Sequence, residues 1–314
     1  MTDANRQYVF GPVPSRRLGR SLGVDLVPLK VCCFDCVYCQ VGPTTRHTAR
    51  RDVYVPTDAV LAELADRLAA GCGADVVTLS GSGEPTLHAD LGRIVREIKA
   101  MTDVPLAVLT NGALLCDPAV RADVADADLI LPSLDAADEE TFLRVNRPCA
   151  GVTFASLVEG LKALRAEDTG TIRLEVFFLA GVNDTDDHVG RLKALIDEIR
   201  PDRIDVNTVA RPPADAEARP VPPQRLKAIA AILGPTAEVI APLPAPQVRV
   251  GAVGRADVLT MLRRRPCTVR DVADGLGCHH GEAAKLLEHL VRDGDIVTRR
   301  QNDQTYYHAK EISP

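Results

Sequence analysis

The chain has 314 residues, of which 46% are hydrophobic, a composition that excludes a fibrous or disordered protein and allows one large domain plus a small one. The formal net charge of −6 does not indicate nucleic-acid binding by the whole chain, and no apolar run approaches the roughly 18 residues of a membrane span. The nine cysteines form no evenly spaced disulfide framework and follow no apolar signal region, so we expect a reducing cytoplasm.

The predicted elements alternate between strands and helices. A first strand over Ser21–Val27 leads to a cysteine-rich loop, and a helix begins at Thr57. Further strands are predicted over Val76–Ser80, Leu106–Thr110, Leu129–Ser133, Ile172–Leu179 and Ile204–Asn207, with helices over Leu91–Met101, Pro118–Ala125, Thr153–Ala166 and Asp186–Ile199. Strict alternation of six βα units predicts an α/β fold with a parallel sheet, either a partial barrel or a doubly wound open sheet.

Polar and glycine-rich segments follow every predicted strand. The first strand leads to the cysteines, and the later ones lead in turn to Gly81–Pro85, Thr110–Gly112, Ser133–Asp135, Ala180–Asp184 and Asn207–Thr208. Both architectures place ligand chemistry at the carboxyl ends of parallel strands. A single loop of this kind would be weak support, since Gly and Asn form turns in any protein, but six in series predict one site.

Three cysteines stand in a Cys-x3-Cys-x2-Cys run, namely Cys32, Cys36 and Cys39. They offer three thiolates from one loop, one fewer than the four that a saturated iron-sulfur cluster takes. A zinc site and ordinary buried cysteines are the alternatives. Structural zinc usually takes four ligands, often as two separated Cys or His pairs, and the sequence has no second pair of that kind. The spacing therefore favours a cluster, with Cys33 as a small packed side chain.

The cysteine spacing, with the aromatic Tyr38 just before the last cysteine, resembles the signature of the radical S-adenosylmethionine (SAM) superfamily. This resemblance implies that Cys32, Cys36 and Cys39 hold a [4Fe-4S] cluster whose fourth iron binds SAM. It also implies a partial (βα)6 TIM-like barrel and an electron donor such as flavodoxin or ferredoxin. The reaction it implies is reductive cleavage of SAM to a 5'-deoxyadenosyl radical, which abstracts hydrogen from a substrate.

The resemblance also assigns residues to SAM. Gly81-Ser82-Gly83-Glu84-Pro85 is similar to the superfamily's Gly-Gly-Glu-Pro loop, in which Glu84 would receive the ammonium group; a helix-start carboxylate is the alternative. Tyr38 would lie beside adenine, or else in the core. The full set of expected SAM contacts is Tyr38, Gly81, Ser82, Gly83, Glu84, Asn111, Ser133, Gly181 and Asn183. No residue can be named as an acid, base or radical relay for the substrate.

Two neighbouring arginines, Arg16 and Arg17, precede the first strand. Guanidinium groups bind carboxylates and phosphates in bidentate fashion, so this pair could meet the SAM carboxylate or a substrate phosphate. A plain surface role is the alternative for each of them.

Within the superfamily, three stretches over 11–19, 34–42 and 207–213 are most similar to a poorly characterised group related to the wyosine-base synthases, which modify tRNA. Those synthases are expected to carry further cysteines near the N-terminus, whereas no cysteine precedes Cys32. The substrate is therefore left open between an RNA base and a peptide.

A second domain is predicted at the C-terminal end. Proline-rich stretches over 211–223 and 235–246 predict semi-rigid spacers, which gives a domain over 1–240, a linker over 241–250 and a domain over 251–314. The last of these is predicted to hold helices over Arg255–Arg265, Thr268–Gly277 and Gly281–Asp293 and a β-hairpin over Gly294–His308. This order resembles a winged-helix domain of the α+β class.

The net charge of that C-terminal domain does not distinguish nucleic-acid binding from docking of a partner. Residues 251–314 hold ten Lys and Arg against nine Asp and Glu, although Arg263–Arg265 with Arg299 and Arg300 could form a local basic patch. Binding of RNA or DNA and docking of a peptide partner are equally expected. The alternative function is an iron-sulfur redox sensor that binds DNA through the winged helix, but such a regulator needs no SAM loop.

Overall fold

The computed structural model describes residues 7–167, 170–240, 254–278, 280–301 and 304–310. The predicted linker over 241–250 lies outside the described residues, so the division into two domains stays a prediction. Among the described residues, no helix combines the length and the apolar character that crossing a membrane requires.

The strands in chain order are β1 Val9–Ser15, β2 Gly19–Val24, β3 Val31–Cys32, β4 Arg46–His47, β5 Val76–Leu79, β6 Leu106–Thr110, β7 Leu129–Pro132, β8 Thr171–Phe178, β9 Arg203–Thr208, β10 Ala237–Val239, β11 Ile296–Gln301 and β12 Gln304–Ala309. The α-helices are α1 Thr57–Ala69, α2 Leu91–Met101, α3 Pro118–Val124, α4 Glu139–Val145, α5 Phe154–Ala166, α6 Asp186–Ile199, α7 Pro223–Leu233, α8 Arg255–Arg264, α9 Val269–Leu276 and α10 His280–Arg292.

Eight of these strands form one sheet in the order β1-β2-β5-β6-β7-β8-β9-β10. All neighbours from β2 to β10 are parallel, and only β1 pairs antiparallel, with β2. The six predicted parallel strands are therefore confirmed, and the sheet gains one strand at each edge. A mostly parallel sheet of successive βα units fits a TIM-like fold.

Local sequence explains where the helices begin and what they bury. The Thr153 side chain accepts from the backbone N–H of Ser156, and the Ser156 hydroxyl accepts in return, a capping box that starts α5. In α2, the buried Leu91, Ile94, Val95 and Ile98 recur at three- and four-residue spacing, which lays one face of that helix against the sheet. The fully buried β5 and β6 form the sheet side of the same core.

Two helices were not predicted from the sequence. Helix α7 lies between the two predicted proline-rich spacers and overlaps the first only at Pro223, which stands in its first turn, where a proline needs no intrahelical N–H partner. Helix α4 has only seven residues, capped by Asp138, which accepts from the Thr141 N–H. No element is predicted from the sequence over 224–233, and proline at a helix start is compatible with helix.

The C-terminal unit, residues 254–278, 280–301 and 304–310, has the predicted order of three helices followed by a hairpin. It has a separate hydrophobic core that includes Val258, Leu287 and Ile296. It also contacts the larger unit, since the Tyr306 hydroxyl donates to the Ala210 carbonyl at 3.1 Å and α9 packs on β1.

Candidate functional site

A cavity of about 380 Å³ lies where β5, β6 and β7 end. Its walls bring together ten of the predicted site residues: Cys32, Cys36, Tyr38, Cys39, Gly81, Ser82, Gly83, Glu84, Asn111 and Ser133. These residues come from four separate loops, so the rule that ligands bind at the carboxyl ends of parallel strands holds here. Their roles as ligands and SAM contacts stay predictions.

The cysteine loop has its own polar neighbours. The Lys30 ammonium donates to the Cys39 thiol over 3.1 Å, and the Asn146 amide donates to the Cys36 thiol over 3.6 Å. Cys32, Cys36 and Cys39 are each half-buried, with a face toward the cavity. Burial raises the pKa of the Cys36 thiol well above its usual range, so iron binding must displace its proton.

The donor set fits a cluster better than a single ion. In the part of the chain that the structure describes, no group of three or more His, Cys, Asp or Glu side chains is arranged to hold one metal ion. The thiolates of an iron-sulfur cluster bind different irons, so they stand further apart than the ligands of one zinc. The three thiols line one open cavity and have a cationic amine beside them, an arrangement that suits a cluster of negative charge.

Glu84 is held in a fixed orientation by its neighbours. Its Oε1 accepts from the Thr86 N–H, the Thr86 hydroxyl and the Thr110 hydroxyl, and its Oε2 accepts from the Asn111 N–H at 2.8 Å. Burial raises the pKa of this carboxyl, while the hydrogen bonds favour the ionised form. The side chain also caps the short 3₁₀ turn over Pro85–Leu87, so the alternative of a helix-start carboxylate is confirmed, while the contact with the SAM ammonium stays a prediction.

The glycines of this loop are required by packing. A Cβ on Gly81 would lie 2.1 Å from Oδ1 of Asp25, and the φ of this residue is +127°, which L side chains rarely adopt. A Cβ on Gly83 would lie 2.0 Å from the carbonyl oxygen of Val31. Glycine is expected here because a ligand approaches the backbone closely. In the structure, atoms of the protein itself already occupy the space that a Cβ would need.

Tyr38 packs between the cysteine loop and β8. Its ring stacks on Phe177 with centroids 3.9 Å apart, and its hydroxyl donates to Asp135. Asp135 also accepts from the Asn146 amide and the Phe177 N–H, yet burial outweighs these bonds and raises its pKa to about 6. The residue predicted to lie beside adenine therefore lines the cavity and belongs to a buried polar network at the same time.

This network predicts a pH effect on stability. The folded pKa of Asp135 lies about two units above its usual 3.8, so the folded state binds its proton more tightly between pH 4 and pH 6. We expect the free energy of unfolding of the wild type, relative to that of Asp135→Asn, to fall by about 3 kcal/mol from pH 4 to pH 7. Urea titrations across this range measure the difference, and parallel profiles for the two proteins would contradict it.

Two predicted SAM contacts lie outside the walls of this cavity. Gly181 is exposed, and the fully buried Asn183 uses its amide within the fold: it donates to the carbonyls of Asp135 and Phe177 and accepts from the Leu179 N–H. Asn183 therefore fixes the loop after β8 and leaves no free donor toward a ligand. The predicted contact between the loop after β8 and adenine is therefore expected from backbone atoms and not from the Asn183 side chain.

Sequence reasoning missed two charged residues beside these loops, Lys30 and Asp25. Lys30 is 5% exposed and adopts a positive φ of 58°, and its only sequence signal is a cation two positions before the first cysteine of the run. Asp25 accepts from the Ser82 N–H at 2.6 Å and from Arg264 at 2.7 Å. No local pattern predicts that last contact, since the partners are 239 residues apart.

The parallel sheet and the three-cysteine loop at its carboxyl edge define the class of protein, an α/β protein of TIM-like fold with a cysteine-lined cavity. The family model described as "Radical SAM superfamily" matches residues 26–196, which is more than half of the chain. The chain belongs to the radical SAM superfamily. Members of this family use a [4Fe-4S] cluster and SAM, so both cofactors are those of this protein.

Curated relatives extend the likeness beyond that segment. The chain is 33% identical over 294 residues to a protein named GTPase Obg of Brachyspira hyodysenteriae, covering 92% of this chain and 43% of that relative. It is 38% identical over 205 residues to the UPF0026 protein slr1464 of Synechocystis, covering 65% of this chain and 76% of the relative. The chain thus spans less than half of the first relative and most of the second.

One solved structure shares the fold at low identity. A radical SAM methyltransferase from Sphaerobacter thermophilus superposes with a TM-score of 0.54 at 20% identity, covering 70% of this chain and 65% of that chain. At this identity the likeness speaks for the fold alone.

Proposed function

We propose that this protein is a radical SAM enzyme in which Cys32, Cys36 and Cys39 hold the [4Fe-4S] cluster and the adjoining cavity binds SAM. The single observation that carries the proposal is the convergence of the three thiols and the Gly81–Glu84 loop on one cavity. When bound, the reduced cluster supplies the electron for reductive cleavage of SAM, and the adenosyl fragment then takes hydrogen from the substrate.

The chain's own residues hold and enclose the reactants. The Glu84 carboxylate, fixed by Thr86, Thr110 and Asn111, is placed to accept hydrogen bonds from the SAM ammonium. Lys30 lies beside Cys39, where its charge stabilises an anionic thiolate. Met261 and Arg264 of α8 line the same cavity, so the C-terminal unit helps to keep water away from the reacting atoms.

The finer assignments belong to the same proposal. We interpret the three helices and hairpin of the C-terminal unit as a winged-helix domain that contributes to recognition of the substrate, an RNA base or a peptide. The electron donor is expected to be a flavodoxin or ferredoxin in a reducing cytoplasm, which suits nine cysteines that are all free thiols. The grouping with wyosine-base synthases stays a prediction.

The alternative function, a DNA-binding redox sensor, has no support from the matched family. It also leaves the Gly81–Pro85 loop without a function, because such a sensor does not bind SAM.

Anaerobic reconstitution with iron and sulfide, followed by dithionite and SAM, tests the proposal. We expect release of 5'-deoxyadenosine and methionine even without substrate, because the site is assembled by the chain itself. Reconstituted protein that releases no 5'-deoxyadenosine but binds promoter DNA tightly would overturn the enzyme proposal in favour of the sensor.

A further inference from the structure

Three arginines from separate elements meet at the cavity described above. Arg16 follows β1, Arg211 follows β9, and Arg265 follows α8, and all three side chains line the cavity wall. Their convergence depends on the fold, since the first and last are separated by most of the chain. Six cationic side chains line this cavity, whereas Glu84 and Glu175 are its only carboxylates among the described residues.

The nearby carboxylates are already engaged. Arg17 pairs with Glu175 at 2.9 Å, and Arg264 pairs with Asp25 at 2.7 Å. Arg211 has Asp271 at 3.2 Å. These pairs account for three of the five arginines around the cavity.

The remaining two arginines make no close ion pair with the described residues, although from a greater distance Glu175 opposes the burial that lowers the pKa of Arg16, and Asp271 opposes it for Arg265. Within the described ranges, Arg16 and Arg265 have no carboxylate oxygen within 4.0 Å, the limit of an ion pair. The Nη2 atom of Arg265 is buried and has no hydrogen-bond partner. The side chain that lies near it is the thiol of Cys267, whose pKa is raised to about 11 by burial and which is therefore neutral. A buried donor of this kind costs free energy until a ligand satisfies it.

The three guanidinium groups also act on one another. Burial lowers the pKa of Arg16 to about 10, with a further contribution from Arg211 and a smaller one from Arg265. Burial likewise lowers the pKa of Arg265, and Arg211 contributes to that shift. Guanidinium groups keep their charge at neutral pH, so the protein maintains a cluster of like charges beside its cavity.

Positive charge continues from this cluster toward the surface. Arg264 and Arg265 also line a neighbouring groove of about 350 Å³, together with Arg263, Arg299 and Lys310. No Asp or Glu is among the described residues that line this groove. Arg263–Arg265 and Arg299, which the sequence suggested as a basic patch, therefore share one groove that leads to the central cavity. Such a groove attracts anions and raises their local concentration.

We propose that Arg16, Arg211 and Arg265 bind an oxyanion group of the substrate, either a phosphate or a carboxylate, and hold it beside the SAM site. This inference rests on the proposed function, because it assigns a substrate class to the same cavity. Guanidinium groups bind both oxyanions through paired N–H donors, and an anion between the three arginines would satisfy the free Nη2 of Arg265. Substrates without an acidic group would leave Arg16 and Arg265 without an ion-pair partner, since of the three arginines only Arg211 has a carboxylate of the described residues within 4.0 Å.

Calorimetric titration of the full-length, cluster-free chain tests the site without any need for turnover. Inorganic pyrophosphate and succinate are titrated in parallel at low ionic strength. The anion that binds with the lower Kd shows whether the site prefers a phosphate or a carboxylate group of the substrate. We expect saturable binding at one site, and Arg16→Gln and Arg265→Gln should each weaken it by about tenfold or more. Arg93→Gln, which removes the same charge on α2, should bind as the wild type does.

Three outcomes would overturn the proposal. The first is that neither anion binds, and the second is that Arg93→Gln weakens binding as much as the other two variants. The third arises in the reconstituted protein: if SAM displaces the anion, the three arginines serve the SAM carboxylate instead. A protein that binds the anion but releases no 5'-deoxyadenosine would leave this site intact and count only against the proposed radical function.

Discussion

Replacement of Cys36 by alanine is expected to abolish both cluster assembly and 5'-deoxyadenosine release. Each of the three thiolates binds its own iron, so a chain with two remaining thiolates cannot hold a [4Fe-4S] cluster in place. The fold should survive, because Cys36 lies half-buried in a loop and, among the described residues, its one side-chain hydrogen bond is a long contact from Asn146. Iron and sulfide content, visible absorption of the reconstituted protein and chromatographic detection of 5'-deoxyadenosine measure the effect.

Cys33→Ala is the matched control for this experiment. Cys33 is adjacent in sequence to Cys32 but is fully buried in the main hydrophobic core, and it is not among the residues that line the cavity. Alanine removes its thiol and the contact with the Asn111 amide at 3.2 Å, but no expected cluster ligand, so we expect iron content and 5'-deoxyadenosine release close to those of the wild type. Retention of the cluster in Cys36→Ala together with its loss in Cys33→Ala would show that the ligand set has been assigned wrongly.

The sequence predicts those parts of the site whose residues lie close together in the chain, directly after a recognisable strand. The Cys-x3-Cys-x2-Cys run, the Gly81–Pro85 loop and Asn111 each follow a strand whose apolar residues identify it, so their meeting at one edge follows from topology. The parallel core of the sheet was predictable for the same reason, since helical and strand periods alternate along the chain. Antiparallel β1 was missed, because its single glycine and two prolines are typical of a loop.

The remaining features depend on contacts between distant parts of the chain. Asp25 meets Arg264 only after the C-terminal unit packs on the β1–β2 hairpin. Asn183 joins the loop after β8 to the segment after β7, because backbone groups of Asp135, Phe177 and Leu179 need partners. Composition gave the C-terminal unit a nearly neutral charge, yet folding gathers its arginines on the face beside the cavity. A count of charged residues cannot predict that the arginines will lie on the same face of the folded unit.

The contact between Asp25 and Arg264 leads to the second large expected effect. Asp25→Ala is expected to lower the free energy of unfolding by about 3 kcal/mol, because it leaves the guanidinium of Arg264 buried without its carboxylate. The two side chains are only 4% and 11% exposed, and Asp25 also accepts from the N–H of Ser82 in the SAM loop. Urea unfolding measures the loss, and faster proteolysis at the C-terminal unit should accompany it.

A surface carboxylate and a double variant separate this buried pair from a general charge effect. Asp58, 84% exposed and paired with Arg93, is the control, and Asp58→Ala should change stability by no more than about 0.5 kcal/mol.

Adding Arg264→Leu to Asp25→Ala removes the unpaired charge, so the double variant should be more stable than the sum of the single effects predicts. Additive effects would show that the two residues act independently. A coupling of about 2 kcal/mol would instead mean that one carboxylate ties the C-terminal unit to the loop expected to hold SAM, so that substrate contacts on α8 and SAM binding share a single structural link.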